Sequence, residues 1–113
     1  MQKLNIERIE QAEQELIKIG CHSKGIEIMK DKMIHHNIKL NNLTTTQASI
    51  IKQTMLSLGG DTAVNKDVCS NNTQNTDIII IGTQKQIKLA INKLGKQPYE
   101  LKQIAEQLSS LIS

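Results

Sequence analysis

Four consecutive isoleucines, Ile78 to Ile81, form the longest apolar run in this 113-residue chain. The run is far too short to cross a bilayer, which takes about 20 apolar residues. Four β-branched residues in a row favour a strand, and a strand without polar alternation is expected to be buried on both faces. Asp77 to Ile81 therefore predicts the central strand of a sheet, and the rest of the chain must supply its neighbours and cover.

The flanking segments supply both. Met33 to Leu40 alternates, with Ile34, His36, Ile38 and Leu40 on one face and Met33, His35, Asn37 and Lys39 on the other. Thr44-Thr45-Thr46-Gln47 and Thr83-Gln84-Lys85-Gln86 each carry the T-x-x-Q signature of a helix start. The first predicts a helix burying Ala48, Ile51, Met55 and Leu58 and ended by Gly59-Gly60. The second predicts one burying Ile87, Ala90, Ile91 and Leu94 and closed by Gly95. Thr62 to Cys69 reads as a further strand, interrupted by Lys66 and Asp67, and 70–75 as a polar hairpin loop.

At the ends, Leu4 to Ile19 places Ile6, Ile9, Ala12, Leu16 and Ile19 on one helical stripe, stopped by Gly20. Pro98 suits the first turn of a last helix with an apolar face of Leu101, Ile104, Ala105, Leu108, Leu111 and Ile112. Gly25 to Met29 alternates over a short stretch and offers a fourth strand. The order predicts a single α+β domain spanning residues 1–113. It is a two-layer sandwich whose middle is a β-α-β-β-α unit, a split βαβ of ferredoxin-like kind, with added N- and C-terminal helices. Right-handed crossover sets the Ile78–Ile81 strand beside the Met33–Leu40 strand.

Composition narrows the function. Tyr99 is the only aromatic residue, so no ring platform for stacked bases exists. The net charge of +3 comes from lysines scattered among Glu and Gln, without the like-charge blocks of a binding tail. Neither feature suits a nucleic-acid partner. The charged N-terminus lacks a signal-peptide core, and with two cysteines, Cys21 and Cys69, the expectation is a cytoplasmic protein with free thiols and no membrane partner.

Candidate sites are few. Gly82-Thr83-Gln84 follows the central strand and opens a helix, where free N–H groups and the positive helix pole attract an anion. The plainer reading is that Thr83 only caps its helix. Gly59-Gly60-Asp61 is glycine-rich but follows a helix, at the negative pole, which favours a C-cap and tight turn. His35 and His36 are adjacent on a strand and point to opposite faces, so they cannot chelate one ion together. No metal, cofactor or catalytic residue is expected. The face of the last helix, Leu101, Ile104, Leu108 and Leu111, covers the sheet or docks on a partner, including a second copy.

Three stretches carry a family resemblance. They are Gly25-Ile26-Glu27-Ile28-Met29 with Lys32, then Ile51 through Gly59-Gly60-Asp61-Thr62-Ala63-Val64, then Thr76-Asp77 through Gly82-Thr83 and Gln86 to Gln97-Pro98. In this order they resemble the N-terminal extension of some bacterial and archaeal dihydropteroate synthases, the region ahead of the pterin-binding barrel. Asp67 stands where that resemblance leads one to expect glycine, and Tyr99 where it leads one to expect Phe. The barrel chemistry is not contained here, since such a barrel needs about 200 residues or more.

The resemblance implies a non-catalytic accessory or interaction domain of folate biosynthesis. Its expected partner is a dihydropteroate synthase barrel, in trans or in a longer chain, with a homodimer as a further possibility. The alternative is a sensor for a pterin, a folate or another anion at the Gly82-Thr83 end.

Overall fold

A computed structural model describes residues 1–68 and 75–113. The elements run α1 (Ile9–Ile19), α2 (Ser23–Met29), a 3-10 turn (Lys30–Lys32), β1 (His35–Thr44), α3 (Thr45–Ser57), β2 (Asp61–Ala63), β3 (Asn75–Thr83), α4 (Gln84–Leu94) and α5 (Leu101–Ile112). The chain is α+β, a two-layer sandwich of helices on a three-stranded sheet. Strand order is β1-β3-β2, with both neighbours antiparallel to β3. β1 and β2 are thus parallel to each other with β3 inserted between them, the split βαβ arrangement.

The central position of β3 agrees with its sequence, but its burial does not. Ile78 and Ile80 are each 1 % exposed, beneath the helices. Ile79 and Ile81 keep 38 % and 42 % of their surface in the open. Among the described residues, helices cover one side of the sheet only, so the expectation of a strand buried on both faces fails on its outer side.

Three helices build the inner layer, two of them started by capping boxes. Thr44 Oγ1 accepts the Gln47 amide at 3.1 Å while Gln47 Oε1 accepts the Thr44 amide at 3.0 Å, a reciprocal capping box. Thr83 and Gln86 repeat it at 3.1 and 2.9 Å. Ala48, Ile51 and Met55 of α3, Ile87, Ala90 and Leu94 of α4, and Leu101, Ile104, Ala105 and Leu108 of α5 close on Ile38, Leu43, Ile78 and Ile80.

Several boundaries differ from the sequence reading. β1 continues past Asn41-Asn42 to Thr44, taking up the irregularity as a bulge between Leu40 and Leu43, with Asn42 at φ 61°. The strand expected over Thr62 to Cys69 covers only Asp61–Ala63. Beyond it the Asn65 side chain and carbonyl accept the Asp67 and Val68 amides and turn the chain. Cys69 and most of the predicted hairpin loop lie outside the described residues. Pro98 precedes α5 in a turn that passes through Tyr99 and Glu100, both at φ 63°, with the Tyr99 carbonyl held by Gln47 Nε2 at 2.8 Å.

The largest correction is Ile26 to Met29, which is helix rather than a fourth strand. His22 Nδ1 accepts the Lys24 amide at 3.2 Å and caps α2, and five alternating residues satisfy i,i+3 spacing as readily as period two. No residue of α2 is buried.

α1 begins at Ile9 rather than near Leu4 and ends at Gly20, φ 87°. Its buried residues, Ala12 and Leu16, lie outside the main core cluster. Lys30 bridges Glu27 at 3.1 Å and Glu13 at 3.8 Å, and Lys88 of α4 holds Asp31 at 2.9 Å. The Glu27 carboxylate raises the Lys30 pKa above its ordinary value. The chain measures 52 × 30 × 21 Å, with a radius of gyration of 16.0 Å against about 13 Å for a compact chain of this length.

Candidate functional site

The Gly59-Gly60-Asp61 turn and the Gly82-Thr83 strand end are far apart in sequence and adjacent in space. β2 pairs with β3 so that Asp61 faces Ile81, which sets the Gly59-Gly60 pair beside Gly82. They rim an open depression of about 550 Å³ that also takes in His35 and His36 of β1.

Close approach explains the glycines. Gly59 has φ 92°, the left-handed conformation that ends α3. A Cβ on Gly60 would stand 2.7 Å from the Ile81 carbonyl oxygen and 2.7 Å from Met55 Cε. One on Gly82 would meet Met55 Cε at 2.9 Å and Gln86 Oε1 at 3.1 Å. Met55 and Gln86 thus fill the seam between the end of α3 and the end of β3.

Three backbone donors at the α4 start, those of Thr83, Gln84 and Gln86, are engaged within the chain. Gln86 Oε1 accepts the Thr83 amide, Thr83 Oγ1 accepts the Gln86 amide, and the Ile34 carbonyl accepts the Gln84 amide at 2.8 Å. The buried Gln84 side chain does not face outward as a ligand group. Its Oε1 bonds His36 Nε2, and its Nε2 donates to the Ile112 carbonyl at 3.1 Å. Because the Gln84 amide nitrogen is the donor to Ile112, its oxygen must accept, which puts the proton on His36 Nε2. Gln84 therefore ties β1 to the end of α5, a role that sequence spacing could not reveal.

Asp61 belongs to the same rim. Its Oδ1 accepts the Thr62 amide at 2.7 Å and the Lys52 ammonium at 3.1 Å. The Thr62 amide first, and Lys52 second, hold its carboxyl below the usual carboxylate range. Lys52 also donates to the Thr62 carbonyl at 2.8 Å, fastening α3 to β2.

Among the described residues no group of three or more His, Cys, Asp or Glu is placed to hold a metal ion. No described helix is long and apolar enough to cross a membrane. Of the candidate interface residues, Leu101, Ile104 and Leu108 are buried in the chain's own core. Leu111 alone is exposed, at 66 %.

No family model matches the chain, and no solved structure does. It is 29 % identical over 110 residues to a bifunctional dihydropteroate synthase/dihydropteroate reductase of Helicobacter pylori. It is 27 % identical over 104 residues to a probable bifunctional folylpolyglutamate synthase/dihydropteroate synthase of Halobacterium salinarum. The matches take in 97 % and 92 % of this chain but only 28 % and 12 % of those proteins. The chain thus corresponds to a short segment of two synthase-containing proteins.

Proposed function

We propose that this chain is an accessory domain of folate biosynthesis that works beside a dihydropteroate synthase barrel and performs no catalysis by itself. The observation that carries the reading is the pair of relatives. Their names differ in the second activity and share the synthase, and almost the whole of this chain aligns with each. The common companion of the segment is then the synthase. The engaged side chains of the glycine-lined rim fit the same reading, since Thr83, Gln84, Gln86 and Asp61 all serve internal bonds. The test is titration of the purified chain against the synthase barrel of its own organism, with synthase kinetics recorded alongside. Association or altered kinetics supports the reading; neither, at any concentration reached, ends it.

One observation favours a second reading. The remainder of the Helicobacter pylori protein, roughly 280 residues by proportion, is about the size of one (β/α)8 barrel. This size supports a part for the matched segment in the second named activity, that of a dihydropteroate reductase. Such a part would be binding and orientation at the open depression, with the hydride supplied by a separate donor. The depression offers no Phe, Tyr or Trp ring to stack on a pterin, which ranks this reading second. An assay of dihydropteroate with hydride donors, run with and without the chain, decides it; unchanged rates and a flat binding titration remove it.

A further inference from the structure

Among the described residues no layer covers the outer face of the sheet, and its composition is unusual for a face left in water. Ile79 and Ile81 are neighbours along it at the centre, exposed by 38 % and 42 %. β1 flanks them with Asn37 opposite Ile81 and Lys39 opposite Ile79. β2 flanks them with Asp61 opposite Ile81 and Ala63 opposite Ile79. The four-isoleucine run is the sequence of a strand covered on both sides, yet the described residues cover one.

The charges are arranged by edge. The β1 edge presents Lys39, which has no described hydrogen bond or ion pair. The β2 edge presents Asp61, whose side chain is 55 % exposed and whose described bonds all go to Oδ1. Two sheets stacked face to face can be related by a two-fold axis only if that axis lies between them. An axis across the strands would set each edge over its own copy, Lys39 near Lys39 and Asp61 near Asp61. An axis along β3 exchanges the edges, so that β1 lies over β2 of the other copy. Lys39 and Asp61 are then offset by two residues, about 7 Å along the strand, on top of the roughly 10 Å between stacked sheets, so that an extended lysine and the aspartate side chain together span the gap.

We propose that this face is a homodimer interface, in which two copies stack sheet on sheet about a two-fold axis parallel to β3. Ile79 and Ile81 meet their counterparts at the centre, and Lys39 of each copy pairs with Asp61 of the other. The isologous geometry makes each charge pair occur twice. The apolar part of the face is two half-exposed isoleucines per copy, so the dimer is a weak one that forms at high concentration.

Sedimentation velocity over a wide concentration range tests this, using the wild-type chain, Ile81→Thr, Lys39→Asp, and the double exchange Lys39→Asp with Asp61→Lys. The wild type is expected to pass from monomer to dimer. Ile81→Thr and Lys39→Asp should each weaken the dimer about tenfold or more, and the double exchange should recover much of the loss. The two single variants leave every described intrachain bond intact, so they decide the matter even if the double exchange fails to fold. A wild type that stays monomeric throughout overturns the proposal, as does a dimer indifferent to both single variants. It falls equally if Ile81→Thr abolishes binding to a synthase barrel while no self-association is seen.

Discussion

Gly60 stands so close to Ile81 that a methyl group on its Cα would lie 2.7 Å from the Ile81 carbonyl oxygen. The contact is with backbone of the central strand, which cannot rotate aside. This fixes how α3 enters β2 and how the two glycine runs come to share one rim.

Gly60→Ala is therefore expected to destabilise the chain by about 1–3 kcal/mol through overpacking. Gly82→Ala should cost less, because its nearest neighbours, Met55 Cε and Gln86 Oε1, are ends of flexible side chains. Urea denaturation of both variants checks the order; equal effects would refute the backbone argument.

The paired capping boxes make a second prediction. Thr44→Ala and Thr83→Ala should each lower stability by about 1 kcal/mol, with the loss at Thr83 accompanied by faster amide exchange of Gln86, whose N–H that hydroxyl accepts. Measurement of denaturation midpoints together with residue-level exchange would show it.

Gln84 joins His36 to the Ile112 carbonyl, so Gln84→Ala should free the last turn of α5. Faster hydrogen exchange confined to the end of α5, and a loss of about 1–3 kcal/mol for the unsatisfied groups, are expected. Unchanged exchange there would mean that the core alone holds the helix.

Asp61 provides a pH signature. Its folded carboxyl is held below its ordinary value by the Thr62 amide and Lys52. The linked stability is fully present above the unfolded value of about 4 and is lost as pH falls through the lower folded value. Asp61→Asn should flatten that part of the acid limb, and because the group is exposed the effect is small. An acid denaturation series on both proteins measures it.

The sequence announced the inner layer of the fold better than its edges. Both T-x-x-Q boxes sit at true helix starts, since a reciprocal cap is a local device readable without tertiary knowledge. Gly20 and Gly59 mark helix ends for the same reason. The Gly25–Met29 alternation misled because five residues cannot distinguish period two from i,i+3, and a neighbouring His22 cap decided for helix. Asn41-Asn42 read as a stop, yet a bulge absorbed them within β1.

At the candidate site, sequence reading singled out both glycine runs but gave no sign that they touch. Their meeting depends on the β2–β3 register, a non-local fact. Gln84 stands out in sequence for its backbone N–H at a helix start, but that amide is held by the Ile34 carbonyl and the side chain is buried between His36 and Ile112. A polar residue at N1 of a capped helix carries no mark of the partner it will find 28 residues away.

The most direct test of the central claim is a binding titration of this chain with the dihydropteroate synthase barrel of the same organism, followed by synthase turnover at saturating chain. The account predicts association in the micromolar range or tighter, with a change in the kcat or KM of the barrel. No association up to about 100 µM, together with unaltered synthase kinetics, would contradict it.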